Sequence, residues 1–333
     1  MSATSRPHAP APPTHPDGPV PRLVVGSAPV HPDAGAVAGS FVEMDGHPAY
    51  RIDHVDGMAP FFVTVVSDAD HWLFASSTGG LSAGRCSPDH ALFPYETVDR
   101  IHDAQDRTGS KTLLLVSRSG EGDGASQTAL WEPFSDRYAG LYATRRSLTK
   151  TLRGDRLRFE EANDDLGLTF TVTWTTSERF GFVRTSELVA HGDAAVSVRV
   201  LDGVQNLMPY GLIRELQAVR SNLADAYKKS ELVPDTTLGL FLLSAIPVDR
   251  AEPSEALKAT TVWSAGLTPD AVLLSARQLD RFRLGEAVET ETAVRAERGA
   301  YFVAATLALA AGEAQTWDLV ADIEQDAADV IGL

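Results

Sequence analysis

Leu168-Thr169-Phe170-Thr171-Val172-Thr173-Trp174 is the stretch whose reading decides the fold class. Large apolar side chains take positions 168, 170, 172 and 174, and threonines fill the gaps. Successive side chains of an extended chain point to opposite faces, so this alternation predicts a half-buried strand. Downstream, Phe182–Val189 and Val196–Leu201 read as strands parted by the turn signal His191-Gly192-Asp193. Upstream, Phe61–Val66 and Thr112–Ser117 are short apolar runs of the same kind. Further strands are expected at Leu238–Ile246, Thr260–Ser264, Ala271–Ser275, Ala287–Arg295, Tyr301–Ala310 and Thr316–Ile323.

One long segment carries a helical period instead. From Leu212 to Lys229, apolar residues recur at Leu212, Leu216, Val219, Leu223 and Tyr227, with Arg214, Arg220, Asp225 and Lys228 opposite. A shorter helix fits between Tyr95 and Gln105. Strands and helices do not alternate, which argues against a doubly wound α/β fold. The expectation is a mainly β protein, a large antiparallel β-sandwich with one inserted amphipathic helix, forming one domain over residues 38–325.

The ends differ from this body. Residues 1–37 hold a Pro/Ala-rich stretch in which proline removes backbone donors, so a disordered tail is expected there. His8, His15 and His31 fall in it and read as parts of a solvated linker. Residues 326–333 (DAADVIGL) read as the start of a linker helix cut from something longer.

Composition sets outer limits. Of 333 residues, 44% are hydrophobic and 22% charged, near globular averages. The net charge of -16 opposes binding to nucleic acid or anionic membrane. Cys86 is the only cysteine, so neither an internal disulfide nor a cysteine zinc site can form. The N-terminus has no signal-peptide core and no apolar run spans a bilayer, so a cytoplasmic location is expected.

The densest polar and aromatic stretch runs from Asp68 to Asp106 and reads as a long loop. Loops that mix glycine with charged and aromatic groups are where sites are built. Aromatic faces stack on sugar rings, and Asp, Arg and His bond hydroxyls. The candidate substrate-binding residues are Asp70, His71, Trp72, Arg85, Asp89, Tyr95, Arg100 and Asp103. The stretch reads equally as a surface loop whose charges pair with one another. Gly79, Gly80 and Gly84 match no phosphate-cradling motif. His71, His90 and His102 have no compact metal-ligand spacing, so no metal site is expected. Glu160-Glu161 and Asp164-Asp165 are adjacent pairs that point apart in a strand or suit a turn, so no catalytic residue is assigned. Asp202, Gly203 and Asn206 either cap a connection or line a cleft.

Ordered blocks along the chain add a resemblance. They are Trp72–Arg85 (WLFASSTGGLSAGR), Ala91–Ile101 (ALFPYETVDRI), Leu130–Phe134 (LWEPF), Phe159–Leu166 (FEEANDDL), Leu201–Leu207 (LDGVQNL), Asp225–Lys229 (DAYKK) and Ala251–Glu255 (AEPSE). Together they resemble the N-terminal β-super-sandwich of the cellobiose phosphorylase-like carbohydrate-active family, with the cyclic β-1,2-glucan synthase phosphorylase region as a relative. The resemblance implies a galactose mutarotase-like super-sandwich that would bind an oligosaccharide or glucan. It also implies a C-terminal (α/α)6 barrel, in cis or in trans, carrying the catalytic acid and the site for inorganic phosphate as co-substrate. No other cofactor is implied. In such relatives the sandwich loops border the active-site cleft, sometimes across a homodimer interface. Two other readings stay open: a stand-alone mutarotase-like sugar epimerase using His71, His90 or His102 as base, and a non-catalytic interaction module.

Overall fold

The computed structural model describes residues 23–31, 35–118, 127–245 and 257–333. The structure is mainly β, and every strand pairing is antiparallel. An 11-stranded sheet runs from Ala293–Arg295 at one edge, through Ala314–Gln325, Gly181–Ala190, Leu168–Ser177 and Leu157–Asn163, to Ala38–Met44 at the other. A five-stranded sheet is centred on Val196–Leu207, between Gly109–Ser117 and Gly299–Leu309. A four-stranded sheet holds Phe62–Val65, His71–Ser76, Leu81–Arg85 and Ala91–Phe93.

One hydrophobic cluster joins all three sheets. It contains Leu73 and Phe93, Leu114 and Val303, and Phe170, Trp174 and Trp317. Leu168, Phe170, Val172 and Trp174 all point into it, as their alternation predicts. Thr171 and Thr173 are also buried, so this strand is covered on both faces. Arg158 lies across the threonine face, its Nε donating to Thr173 Oγ1 at 3.0 Å. The opposite face of the five-stranded sheet has its own cluster, Leu113, Leu201, Leu273 and Phe302, under the short helix Leu279–Arg283.

Charged groups hold the interior together as well. Asp202 is fully buried on Val196–Leu207 and faces Arg184 on the large sheet. Arg184 donates from Nη1 and Nη2 at 2.7 and 2.8 Å. Thr112 Oγ1 at 2.6 Å, Ser186 Oγ at 3.1 Å and Trp317 Nε1 at 2.6 Å complete the shell. The next residue, Gly203, has no room for a side chain, since a Cβ there would lie 1.9 Å from Tyr301 O. Asp202 and Gly203 are therefore structural, and of the trio noted in the sequence only Asn206 reaches a cleft.

The helix expected over Leu212–Lys229 is instead two short ones, Arg214–Val219 and Ser221–Asp225. Arg220 breaks them at φ -137°, ψ 47°. Val219 and Leu223 are 73% and 46% exposed, so the apolar stripe finds no continuous surface to cover. Ser221 and Asn222 compete with helix by bonding nearby backbone. Lys228 and Lys229 leave the helix altogether and begin the strand Lys228–Leu232, paired with Gly239–Leu243. Between Tyr95 and Gln105 only a single 3-10 turn, Asp99–Ile101, forms.

Most of the 1–37 stretch lies outside the described residues, as do His8, His15, Ile246 and the Ala251–Glu255 block. Within that stretch, Val24–Val25 and Ala28–Pro29 pair as a small hairpin turned by Gly26 at φ 61°. Two adjacent valines give it a strand-forming arm that the surrounding prolines obscure in composition. At the other end Ala327–Gly332 is helical, with Asp326 and Asp329 forming a reciprocal capping box. No helix among the described residues is long and apolar enough to cross a membrane.

Candidate functional site

The stretch Asp68–Asp106, read as a loop, is largely a β-hairpin. His71–Ser76 pairs with Leu81–Arg85, and Ala91–Phe93 follows alongside. Leu73, Ala75, Leu81 and Ala83 all enter the core, which is why polar and glycine residues between them do not prevent strands. The turn is locked locally. Gly79 takes φ 101°, and a Cβ on Gly80 would meet Ile101 O at 2.0 Å. Ser76 Oγ bonds Thr78 Oγ1 at 2.7 Å and His102 Nδ1 at 2.8 Å. The glycines and His102 thus serve the turn. Gly84 serves packing, since a Cβ there would meet Trp72 at 2.4 Å.

The eight candidate residues separate into two places. The first centres on Arg85. Its Nε donates to Asp70 Oδ1 at 2.9 Å and its Nη1 to Asp322 Oδ2 at 3.0 Å, tying the hairpin to the strand Ala314–Gln325. Cys86 Sγ donates to Asp70 Oδ2 at 3.0 Å. That bond, with Arg85, holds the Asp70 carboxyl below its usual range. His71 is buried behind them. Its Nδ1 lies 3.1 Å from Ser67 Oγ and its ring packs edge-on to Phe182. Burial, then the Arg85 charge, pushes the imidazole down, while burial pushes the Asp322 carboxyl up. His71 Nε2 is sealed from solvent and has no hydrogen-bond partner among the described residues.

The second place is a cleft of about 290 Å³ between the segment after Phe93, the irregular end of Val196–Leu207 and the two short helices. Ala91, Met208 and Leu212 lie along it and belong to a small hydrophobic cluster that also packs Trp72, Leu216 and Tyr227. Tyr95, Arg100 and Asp103 line the cleft. Trp72 stands behind Tyr95, ring centroids 5.1 Å apart in edge contact, and Phe74 completes the aromatic stack. Asp89 accepts from the Arg214 backbone N–H at 2.7 Å and so fixes where the first helix starts. The Arg214 guanidinium carbon lies 5.4 Å from the Tyr95 ring centroid, a cation–π contact.

Sequence reading missed Arg107, Gln217 and Arg298, which share the cleft wall, and gave Arg214 only as a helix-face charge. Asn206 lines the same wall at φ 61°, where the pairing with Gly299–Leu309 slips by one residue. Its Nδ2 donates to Thr108 Oγ1 at 2.9 Å, and its Oδ1 has no hydrogen-bond partner among the described residues. A strained non-glycine residue at a bulge is a recurrent feature of binding sites.

Two larger clefts lack this character. One, about 640 Å³, contains Arg145 and Arg146, but these are bound by Asp164, Asp136 and Glu161. The other, about 430 Å³, sets Tyr50, Phe61 and aliphatic side chains beside Lys150 and Arg153, with no amide or carboxylate side chain in its lining. Among the described residues no group of three or more His, Cys, Asp or Glu could hold a metal ion.

No protein-family model matches the chain, and no curated protein does. The solved structures it is similar to are distant. A polysaccharide lyase is 7% identical with a TM-score of 0.42, over 80% of this chain and 33% of its own. A bacterial glucoamylase complexed with acarbose is 8% identical with a TM-score of 0.41, over 83% of this chain and 35% of its own. A protein from Klebsiella pneumoniae subsp. pneumoniae MGH 78578, described as an aldose 1-epimerase, is 11% identical with a TM-score of 0.36. It matches over 91% of this chain and 92% of its own. The chain thus spans about a third of the lyase and of the glucoamylase. At these identities and scores no residue role passes from those proteins to this one.

Proposed function

We propose that the chain is a sugar-binding and scaffolding β-sandwich module of a glycoside phosphorylase or hydrolase acting on an oligosaccharide or glucan. The observation that carries this reading is the Tyr95 cleft. It combines a half-buried aromatic, supported by Trp72 and Phe74, with amide and guanidinium donors from Asn206, Gln217 and Arg100. That combination matches a sugar, whose C–H faces stack on rings while its hydroxyls take directed hydrogen bonds. Glu96 and Asp103 are the carboxylates of the cleft. Neither side chain is held by a hydrogen bond or ion pair among the described residues, so neither is oriented as a general acid. Binding rather than bond cleavage is the role this favours, with the catalytic acid on an (α/α)6 barrel in cis or in trans and phosphate as the possible co-substrate there.

Calorimetric titration with cellobiose and longer gluco-oligosaccharides tests the reading. Tyr95→Ala is expected to weaken binding about tenfold, through loss of the stacking face. Tyr95→Phe, which keeps the ring, should weaken it much less. Equal affinities for the wild type and Tyr95→Ala would remove this cleft from the proposal.

The epimerase reading draws on His71, whose imidazole is pushed down by burial, with the Arg85-bound Asp322 carboxylate near it. An imidazole base with a carboxylate partner suits proton exchange on a sugar hydroxyl. The sealed His71 Nε2 would have to be uncovered for this to work. Mutarotation of glucose or galactose by the chain alone, lost in His71→Ala, would move the assignment there.

A further inference from the structure

We infer that the Tyr95 cleft selects an anionic sugar, one carrying a phosphate or a carboxylate. This deepens the sugar-binding reading and rests on it. The chain carries 45 Asp and Glu against 29 Lys and Arg, so its overall field repels anions. Yet Arg100, Arg107, Arg214 and Arg298 line this one cleft, against Glu96 and Asp103.

Those arginines are bonded differently from six others that end on carboxylates. Arg51, Arg85, Arg145, Arg146, Arg184 and Arg283 each end on carboxylates at 3.1 Å or less. In the cleft, Arg298 is tied to Asp225 at 3.3 Å. Arg100 and the Arg214 side chain end on no carboxylate among the described residues. Arg107 spends one Nη2 bond on the Asp103 backbone carbonyl, at 3.1 Å, which steadies it and leaves its charge unmatched. Three guanidinium forks therefore keep donors free for an oxyanion, the group that planar fork recognises best.

Their placement ties the anion to a sugar. Arg214 sits over the face of Tyr95, so a ring stacked beside Tyr95 would carry its charged substituent within reach of Arg214. Asn206 lines the same cleft, but its Oδ1 is sealed from solvent and is not offered to a ligand. Glu96 and Asp103 offer the acceptors and would set where on the ring the negative charge is tolerated. Phosphate and carboxylate satisfy the same forks, so the ligand is defined by its oxyanion.

The test is calorimetric titration of the full chain with glucose, glucose 1-phosphate, glucuronate and inorganic phosphate at low salt. At least one anionic sugar is expected to bind about tenfold or more tighter than glucose, as charge-assisted bidentate bonds are the strong ones. The preference should shrink as salt is added. In Arg100→Gln and Arg214→Gln, the ratio of anionic to neutral affinity should fall to about one. Melting temperatures report that the variants remain folded. Arg281→Gln, on the remote exposed pair with Glu286, should leave the ratio as it is. Tighter binding of glucose 1-phosphate assigns a phosphate ester, and tighter binding of glucuronate a uronic acid. Equal binding of glucose and both anions overturns the anion inference and leaves the sugar cleft standing. Inorganic phosphate binding as tightly as glucose 1-phosphate, with no response to glucose, overturns the sugar reading and leaves the anion site. Silence from all probes overturns both.

Discussion

Asp202→Ala is expected to destabilise the protein by about 3–5 kcal/mol, the cost of leaving a buried charge without its partner. The arithmetic favours a large value because Asp202 serves several donors at once. Arg184 would keep its charge at 1% side-chain exposure with no carboxylate to meet it. Thr112, Ser186 and Trp317 Nε1 would lose acceptors in the same place. Unfilled donors there are costly because water cannot reach them. Asp202→Asn keeps the volume and some acceptor capacity, so it should cost less. The double replacement Arg184→Met with Asp202→Leu removes both charges and should recover a good part of the loss. Urea midpoints with unchanged slopes read these differences. A loss under about 1 kcal/mol for Asp202→Ala would show that water or relaxation compensates the charge.

The second large effect lies at Glu132, whose carboxylate is fully enclosed. Lys111 Nζ lies 2.7 Å from it, and Arg283 donates from Nε at 2.7 Å and Nη2 at 3.0 Å. Asp106 also meets Lys111 at 2.7 Å, and Asp280 meets Arg283 at 2.6 Å. Burial alone would raise the Glu132 carboxyl, but the bonds from Arg283 and the charge of Lys111 outweigh it and hold the group below its ordinary range. A depressed folded-state value means the unfolded chain binds the proton more readily. The stabilisation is therefore complete above the ordinary glutamate range and is lost as pH falls through the folded-state value. Glu132→Gln should cost about 3 kcal/mol at neutral pH, since two largely buried cations lose their enclosed carboxylate and keep only the more exposed Asp106 and Asp280. It should also flatten the acid limb of stability against pH, because one group that must be protonated is gone. Melts between pH 7 and pH 3 check both parts, and parallel acid limbs for the two proteins would count against the pairing.

These two ionic centres mark where sequence reading reaches its limit. The strand Leu168–Ser177 was legible because its apolar residues keep strict alternation. Gly181–Ala190 and Gly299–Leu309 were legible within two residues for related reasons. Arg184 and Asp202 follow the same alternation but look like surface charges. Their burial depends on a partner from the other sheet, which no local pattern records. The Leu212–Lys229 helix misled because spacing reports a periodic stripe and not whether a surface exists to receive it. Val219 and Leu223 have none. The polar stretch 68–106 misled in the opposite sense, since Leu73, Ala75, Leu81 and Ala83 anchor a hairpin beneath its charges.

The candidate site was legible in part. Tyr95, Arg100 and Asp103 reach the cleft, Trp72 backs it, and Asp89 sets the helix that delivers Arg214. Asp70, His71 and Arg85 form a separate latch to Asp322. Residues 70–103 are close in sequence, but a hairpin sends its two ends to different neighbours. Arg107 lies one residue past the polar stretch 68–106, while Gln217 and Arg298 come from distant segments that no motif could have collected.

The strand order also dictates a timetable. Phe182 pairs with Ala321, and Val196 with Leu309. At the speed of protein synthesis, the earlier member of each pair waits on the order of ten seconds for the later one to emerge. Until then Gly181–Ala190 and Val196–Leu207 present open hydrogen-bonding edges and bare apolar faces to everything around the ribosome. Closure of both sheets then comes late and nearly at once, when Gly299–Leu309 and Ala314–Gln325 slot between strands already made. Such long-range pairing places the protein among slow folders. Its yield in a cell would depend on how well chaperones shield those two waiting strands.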